Sequence, residues 1–105
     1  MQNLIFSYNW NNKLDCKAFT TLRLHNPKKY YPGAEFDVWL NEKGKEQAPK
    51  GRAITQAVKT FDADQINDFI AFLDTGYNRA QCIQILQRMY KQENPKLDLV
   101  LLVKP

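Results

Sequence analysis

Several common chemistries are excluded by residues the chain has little of. Histidine occurs once, at His25, and cysteine twice, at Cys16 and Cys82. One imidazole and two distant thiols make no recognisable zinc site, so no metal centre is expected. Two cysteines are too few for a disulfide framework, and both are expected as reduced thiols in or near the core. The four glycines compose neither a phosphate-binding loop nor a dinucleotide fingerprint, so no cofactor is expected. No apolar run approaches the ~20 residues that span a bilayer, which argues against a membrane role. The opening stretch Met1–Phe6 has no basic leader and does not read as a signal peptide, so a cytoplasmic protein is expected. Internal repeats, low-complexity tracts and linkers are also missing, and the 105 residues read as one domain, 1–105.

The chain is rich enough in apolar side chains to fold without staples. Hydrophobic residues make up 44% and aromatics 12% of the sequence, a composition that builds a core at this length. The formal net charge is +4, unevenly spread. Residues 1–60 carry ten basic and five acidic side chains, the remainder five and six. A basic half attracts phosphate, although a solvated surface has the same look.

The apolar pattern changes period along the chain. Leu4–Tyr8 reads as a strand, Asn9–Cys16 as a polar loop or short helix, and Ala18–Leu24 as a second strand rich in β-formers. Pro27 and the pair Pro32-Gly33 mark a loop over His25–Gly33. Ala34–Leu40 alternates Phe36, Val38 and Leu40 toward the core, and Gly51–Thr60 follows as its pairing partner after a polar connection. Asp62 and Gln65 then form a capping-box pattern, with Phe61 and Ile66 as a hydrophobic staple. Ile66, Phe69, Ile70 and Leu73 follow at helical spacing, up to a stop at Gly76. Asn78 and Gln81 repeat the capping pattern before a stripe of Cys82, Ile83, Leu86, Met89 and Tyr90. Leu97–Val103 is a nearly continuous apolar strand, as expected of one covered on both faces. The expected fold class is α+β: a small, partly open barrel of about five strands, paired antiparallel, with two helices packed against it.

Strand alternation divides the second strand into two rows. Ala18, Thr20, Leu22 and Leu24 form the natural core face. Lys17, Phe19, Thr21 and Arg23 form the other, a row of cation, ring, hydroxyl and cation suited to an anion and a stacked base. The plainer reading of that row is a solvated face covered by lysine and arginine stems. Phe19 and Arg23, with Lys28 and Lys29 from the following loop, are the candidate ligand-binding residues. Asp74 stands near the end of the first helix, where a carboxylate opposes the helix dipole. That unfavourable place hints at a role elsewhere, unless the residue is a solvent-exposed turn former. Trp10, Trp39, Tyr30 and Tyr31 are able to stack bases, but aromatics in a small β-domain also serve as packing.

These residues resemble the ASCH domain family of the PUA-like superfamily over nearly the whole chain. Lys17-Ala18-Phe19-Thr20-Thr21-Leu22-Arg23 looks like the family's Lys-Thr-x-Thr-x-Arg strand. Tyr31 to Val38 is similar to its Pro-Gly-Asp turn and strand. Lys50 to Ile54 and Ile85 to Tyr90 match later segments in order. The resemblance implies a PUA-like barrel with a cleft beside the second strand, associated with RNA and modified nucleosides. It also implies a second activity, since some small members are acetylcytidine amidohydrolases that use a lysine, a threonine and an acidic residue. Carried over by motif, Lys17, Thr21 and Asp74 are the candidate catalytic residues, with Lys17 one residue further from Arg23 than in the family pattern. A lysine must be desolvated or placed beside another cation to serve as a base.

Three functional expectations follow. The first is a binding module for RNA, a nucleotide or a modified nucleoside. The second is an amidohydrolase acting on acylated nucleosides such as acetylcytidine. The third is a protein-interaction module, which an exposed apolar patch beside the final strand would favour. The sequence leaves the oligomeric state open.

Overall fold

A computed structural model describes all 105 residues. The elements follow in the order β1 (Gln2–Phe6), a 3₁₀ helix (Trp10–Asp15), β2 (Ala18–Leu24), β3 (Glu35–Leu40) and β4 (Ala48–Asp62). A second 3₁₀ turn (Ala63–Gln65), α1 (Asp68–Thr75), α2 (Arg79–Tyr90) and β5 (Lys96–Val103) complete the chain. The five strands form one mixed sheet in the order β1-β3-β4-β5-β2. All pairings are antiparallel except β1 with β3. That parallel pair departs from the all-antiparallel expectation, and the intervening 3₁₀ helix and β2 are the crossover that allows it.

The sheet curls without closing. Phe6 and Phe19 come from its two opposite edges, yet their rings meet edge-on with centroids 6.1 Å apart. Register shifts at Val38/Trp39 and Thr55/Ala57 supply local bending, since a bulge sharpens twist and re-aims a strand. Inside the curl lies the main core, with Leu4, Phe6, Phe19, Phe36, Val38, Ala53, Val100 and Leu102 contributed by all five strands. On the outer face α1 and α2 cover a second cluster that includes Leu22, Ile66, Ala71, Cys82, Leu86 and Leu97. β5 is therefore an interior strand with core on both faces over Leu97–Val100, while its outer face opens at Leu101, which is exposed.

The same two-layer arrangement corrects the reading of β2. Phe19 is cross-paired with Leu102 and Thr21 with Val100, so both point into the curl, and Phe19 belongs to the main core rather than to a solvated row. Leu22 packs on the opposite face beneath the helices. The curl-facing row is thus core at Phe19 and Thr21, whereas the opposite row is buried only at Leu22 and exposed at its ends, Ala18 and Leu24.

The first helix starts later than its cap signal suggests. The Asp62/Gln65 capping box forms, but around the 3₁₀ turn. α1 begins afresh at Asn67, whose side chain accepts from the Ile70 N–H. This shift rotates the helix, burying Ala71, Asp74 and Thr75 and leaving Phe69 and Leu73 exposed at 78% and 70%. Gly76 ends the helix at φ 80°, the left-handed conformation that glycine adopts without Cβ strain. The α2 capping box at Asn78 and Gln81 is formed as expected. Cys82 is buried, whereas Cys16 is exposed rather than near the core; both are free thiols. No helix is long and apolar enough to cross a membrane.

Candidate functional site

The unpaired seam between β1 and β2 is where polar side chains gather. A cavity of about 60 Å³ opens there, room for several waters. Phe6 and Trp10 line one part of it, and Leu86, Met89 and Tyr90 of α2 another. Its polar lining comprises Ser7, Lys13, Thr21, Arg23, Asp74 and Thr75. These come from the loop after β1, the first 3₁₀ helix, β2 and α1, so the site exists only in the folded chain.

Lys13 sits in the 3₁₀ helix after two successive asparagines, Asn11 and Asn12, at φ 56° and 54°. Asparagine tolerates this left-handed conformation better than most side chains, and the double turn directs Lys13 inward. Its ammonium donates to the Asp74 carboxylate at 2.9 Å and to the Asp74 main-chain carbonyl at 3.0 Å. Both side chains are buried. One lysine thus caps the last turn of α1 and neutralises the carboxylate that opposes the helix dipole. The Thr20 hydroxyl is a second donor to the same carboxylate oxygen, at 2.8 Å. Burial pushes the Lys13 ammonium below its ordinary value against the pull of Asp74, and the nearby Arg23 charge pushes it the same way.

Arg23 closes the seam. Its Nε donates to the Thr21 hydroxyl and one terminal nitrogen to the Ile5 carbonyl, each at 3.0 Å. The guanidinium lies over the Phe6 ring at 4.5 Å from the centroid, a cation–π position. These contacts fix the fork on an edge carbonyl that no strand pairs.

Of the residues singled out by the sequence, the structure brings Thr21, Arg23 and Asp74 to this cavity. Lys17 is exposed at the opposite end of β2, six residues or roughly 20 Å along the strand from Arg23. The lysine at the cavity is Lys13, which the sequence reading left in an ambiguous polar stretch. Lys28 is exposed, and Lys29 holds its ammonium over the Tyr30 ring at 5.6 Å; neither lines the cavity. Burial and the neighbouring Arg23 lower the pKa of Lys29. No group of three or more His, Cys, Asp or Glu residues is arranged to hold a metal ion.

A second polar cluster lies beside the seam. Asp98 on β5 is buried and accepts from the His25 ring at 2.8 Å, the Thr60 hydroxyl at 2.7 Å and the Asn26 N–H at 2.8 Å. Burial alone would raise the Asp98 pKa, but these three hydrogen bonds outweigh it and hold the carboxyl below its ordinary 3.8. The depressed native value makes the unfolded chain bind more protons in this range. Asp98 therefore contributes stability that is present above pH 3.8 and is lost as pH falls through its native pKa. Urea unfolding between about pH 2 and 5 is expected to show a shallower acid slope in Asp98→Asn than in the wild type. Equal slopes would mean that the carboxylate gains nothing from its three donors.

Compared with protein-family models, curated proteins and solved structures, the chain matches none.

Proposed function

We propose that the chain is an ASCH/PUA-like binding module for RNA, a nucleotide or a modified nucleoside, with the seam between β1 and β2 as its ligand site. The observation that carries this reading is the convergence of Lys13, Thr21, Arg23 and Asp74 on one cavity. Donors, acceptors and a cation meet there beside Trp10 and Tyr90, the mixture that reads the edge of a base while ring faces stack on it. The curled five-stranded sheet supports the PUA-like resemblance, and the cavity lies beside β2 where that resemblance implies a cleft. The cavity is too small for a whole nucleotide, so only part of the ligand enters and the rest lies at the mouth. Equilibrium titration with cytidine, acetylcytidine and a short single-stranded RNA tests the reading. Saturable binding to at least one, weakened at least tenfold by Thr21→Val, is expected. RNA binding should also weaken with salt as counterions are released, whereas nucleoside binding should not. No binding to any of the three at low salt overturns it.

A second reading, hydrolysis of an acylated nucleoside, is favoured by one specific observation: the cavity lysine is buried and within the field of Arg23, both of which lower its pKa against the opposing pull of Asp74. Those are the two conditions that suit a lysine to general-base work. In this mechanism Lys13 accepts the Thr21 hydroxyl proton as Thr21 oxygen attacks the acyl carbon. The C–N bond then breaks, and the amine leaves with the proton returned by Lys13. Water, deprotonated by the same lysine, attacks the acyl ester; the C–O bond to Thr21 breaks, Lys13 returns the proton to the Thr21 oxygen, and the carboxylate leaves. Asp74 holds the lysine in place. Acetate release from acetylcytidine is then expected to fall at least a hundredfold in Lys13→Ala and Thr21→Ala and to be unchanged in Lys17→Ala. No release by the wild type removes this reading and leaves the binding module standing.

A further inference from the structure

Arg23 is a half-buried cation that makes no salt bridge. An unpaired charge out of bulk water is costly, so the absence of a partner calls for a reason. The partner is not far away. On the β2–β5 ladder Arg23 stands directly opposite Asp98, and on the β4–β5 ladder Asp98 stands directly opposite Thr60. Directly paired residues share a face of the sheet with Cβ atoms about 5 Å apart. Asp98 nevertheless spends its oxygens on other donors. One oxygen takes the His25 ring and the Thr60 hydroxyl, and the other takes the Asn26 N–H. The guanidinium goes instead to Thr21, the Ile5 carbonyl and the Phe6 face. The one carboxylate that lines the cavity, Asp74, is committed to Lys13 and Thr20. Both acids that could neutralise Arg23 are thus occupied by other donors. The guanidinium keeps further N–H groups unspent beside the cavity, held in place by three contacts.

We propose that Arg23 is a preorganised receptor for an anionic group of the ligand, a phosphate or a carboxylate, and that His25 is the positioning residue that keeps it free by holding Asp98 away. The proposal rests on the seam being a ligand site and adds the chemical class of what it takes. A planar fork with free donors matches a phosphate or carboxylate with two parallel hydrogen bonds. Exposed Lys28 and half-buried Lys29 of the following loop make no salt bridge and raise the local positive potential. Loss of His25 would remove one of the two donors on its Asp98 oxygen, and the unpaired cation directly opposite on the ladder is Arg23.

Titration of the full chain with cytidine 5′-monophosphate, cytidine, inorganic phosphate and acetate tests both parts. The monophosphate should bind roughly ten- to a hundredfold tighter than cytidine, the increment of a charge-assisted contact. Arg23→Gln should erase that difference, and Arg23→Lys, which keeps the charge and the fold but loses the fork, should erase most of it. His25→Ala should weaken monophosphate binding about tenfold, and adding Asp98→Asn to His25→Ala should restore it. A merely structural role for His25 predicts the reverse, since the second change removes still more native hydrogen bonds. Phosphate binding tighter than acetate binding identifies a phosphoryl group as the preferred anion, and the opposite order a carboxylate. Equal binding of cytidine and its monophosphate overturns the anion receptor while leaving the nucleoside reading intact. Binding of phosphate and the monophosphate without any contribution from the nucleoside keeps the receptor and removes the nucleoside reading. Failure of all four probes removes both, and unchanged affinity in His25→Ala removes the positioning role.

Discussion

Asp74→Ala is expected to lower folding stability by about 3–5 kcal/mol, because it leaves the Lys13 ammonium buried without its counter-charge. The loss has three components that act together. Lys13 keeps only the Asp74 main-chain carbonyl, the Thr20 hydroxyl loses its acceptor, and a small void opens at the end of α1. Burial already pulls the Lys13 pKa down, and Asp74 is the principal influence raising it. In the variant the pKa should therefore fall further. A lysine whose native pKa lies below its unfolded value penalises the folded state at low pH, and the penalty is relieved as pH rises through the native pKa. The cost of Asp74→Ala should accordingly shrink on going from neutral to alkaline pH. Chemical denaturation gives the magnitude. The double replacement Lys13→Met with Asp74→Leu should recover most of the loss, since an apolar pair of similar volume needs no desolvation. A cost of Asp74→Ala below about 1 kcal/mol would be the signature of a solvated surface pair and would contradict the buried site.

Much of this architecture is legible in the amino-acid order, and the parts that are not have physical causes. β2, α2 and β5 are recoverable because each carries an unambiguous local signal. These are a run of β-formers, a capping box that closes on its own helix, and an apolar stretch too continuous for a half-exposed strand. α1 is misphased because two caps, Asp62 and Asn67, lie five residues apart, and the first is used by a 3₁₀ turn. The displaced phase puts Phe69, Phe72 and Leu73 at the surface, and Leu73 shares a shallow depression with Leu101 of β5. Asp74 is visible as an anomaly, a carboxylate at the wrong end of a helix dipole. Its partner is not visible, because Lys13 stands in a polar segment without periodicity and reaches Asp74 across 61 residues of sequence. The one available signal is Asn11-Asn12, a pair suited to a left-handed turn, followed by Lys13 and the buried Leu14. The family spacing points to Lys17, at the end of β2 away from the cavity, since spacing alone carries no information about which lysine the fold turns inward.

Phe19→Ala separates the two readings of β2 most sharply. On a ligand-facing row, loss of the ring weakens binding and leaves stability nearly unchanged. Inside the curl, where Phe19 is only 4% exposed, truncation is expected to cost about 3–5 kcal/mol through lost burial and a residual cavity. That is a large share of the roughly 5–15 kcal/mol that holds a domain of this kind together. The position makes the cavity hard to heal. Phe19 is cross-paired with Leu102 on the interior strand β5 and meets Phe6 from the opposite edge of the sheet. It is therefore one of the few side chains that bridge the two edges without a hydrogen-bond ladder. Phe6 in turn carries the Arg23 guanidinium, so a loosened Phe6 ring should also let the seam widen. Urea unfolding should show a midpoint shift with little change in slope, and Phe19→Leu, which refills most of the volume, should recover more than half of the loss. Affinity for cytidine 5′-monophosphate, measured at a temperature where the variant stays folded, should change less than tenfold, because the ring supports the platform under Arg23 without touching the ligand. A variant of wild-type stability that no longer binds would return Phe19 to the ligand-facing row and overturn the inward register of β2.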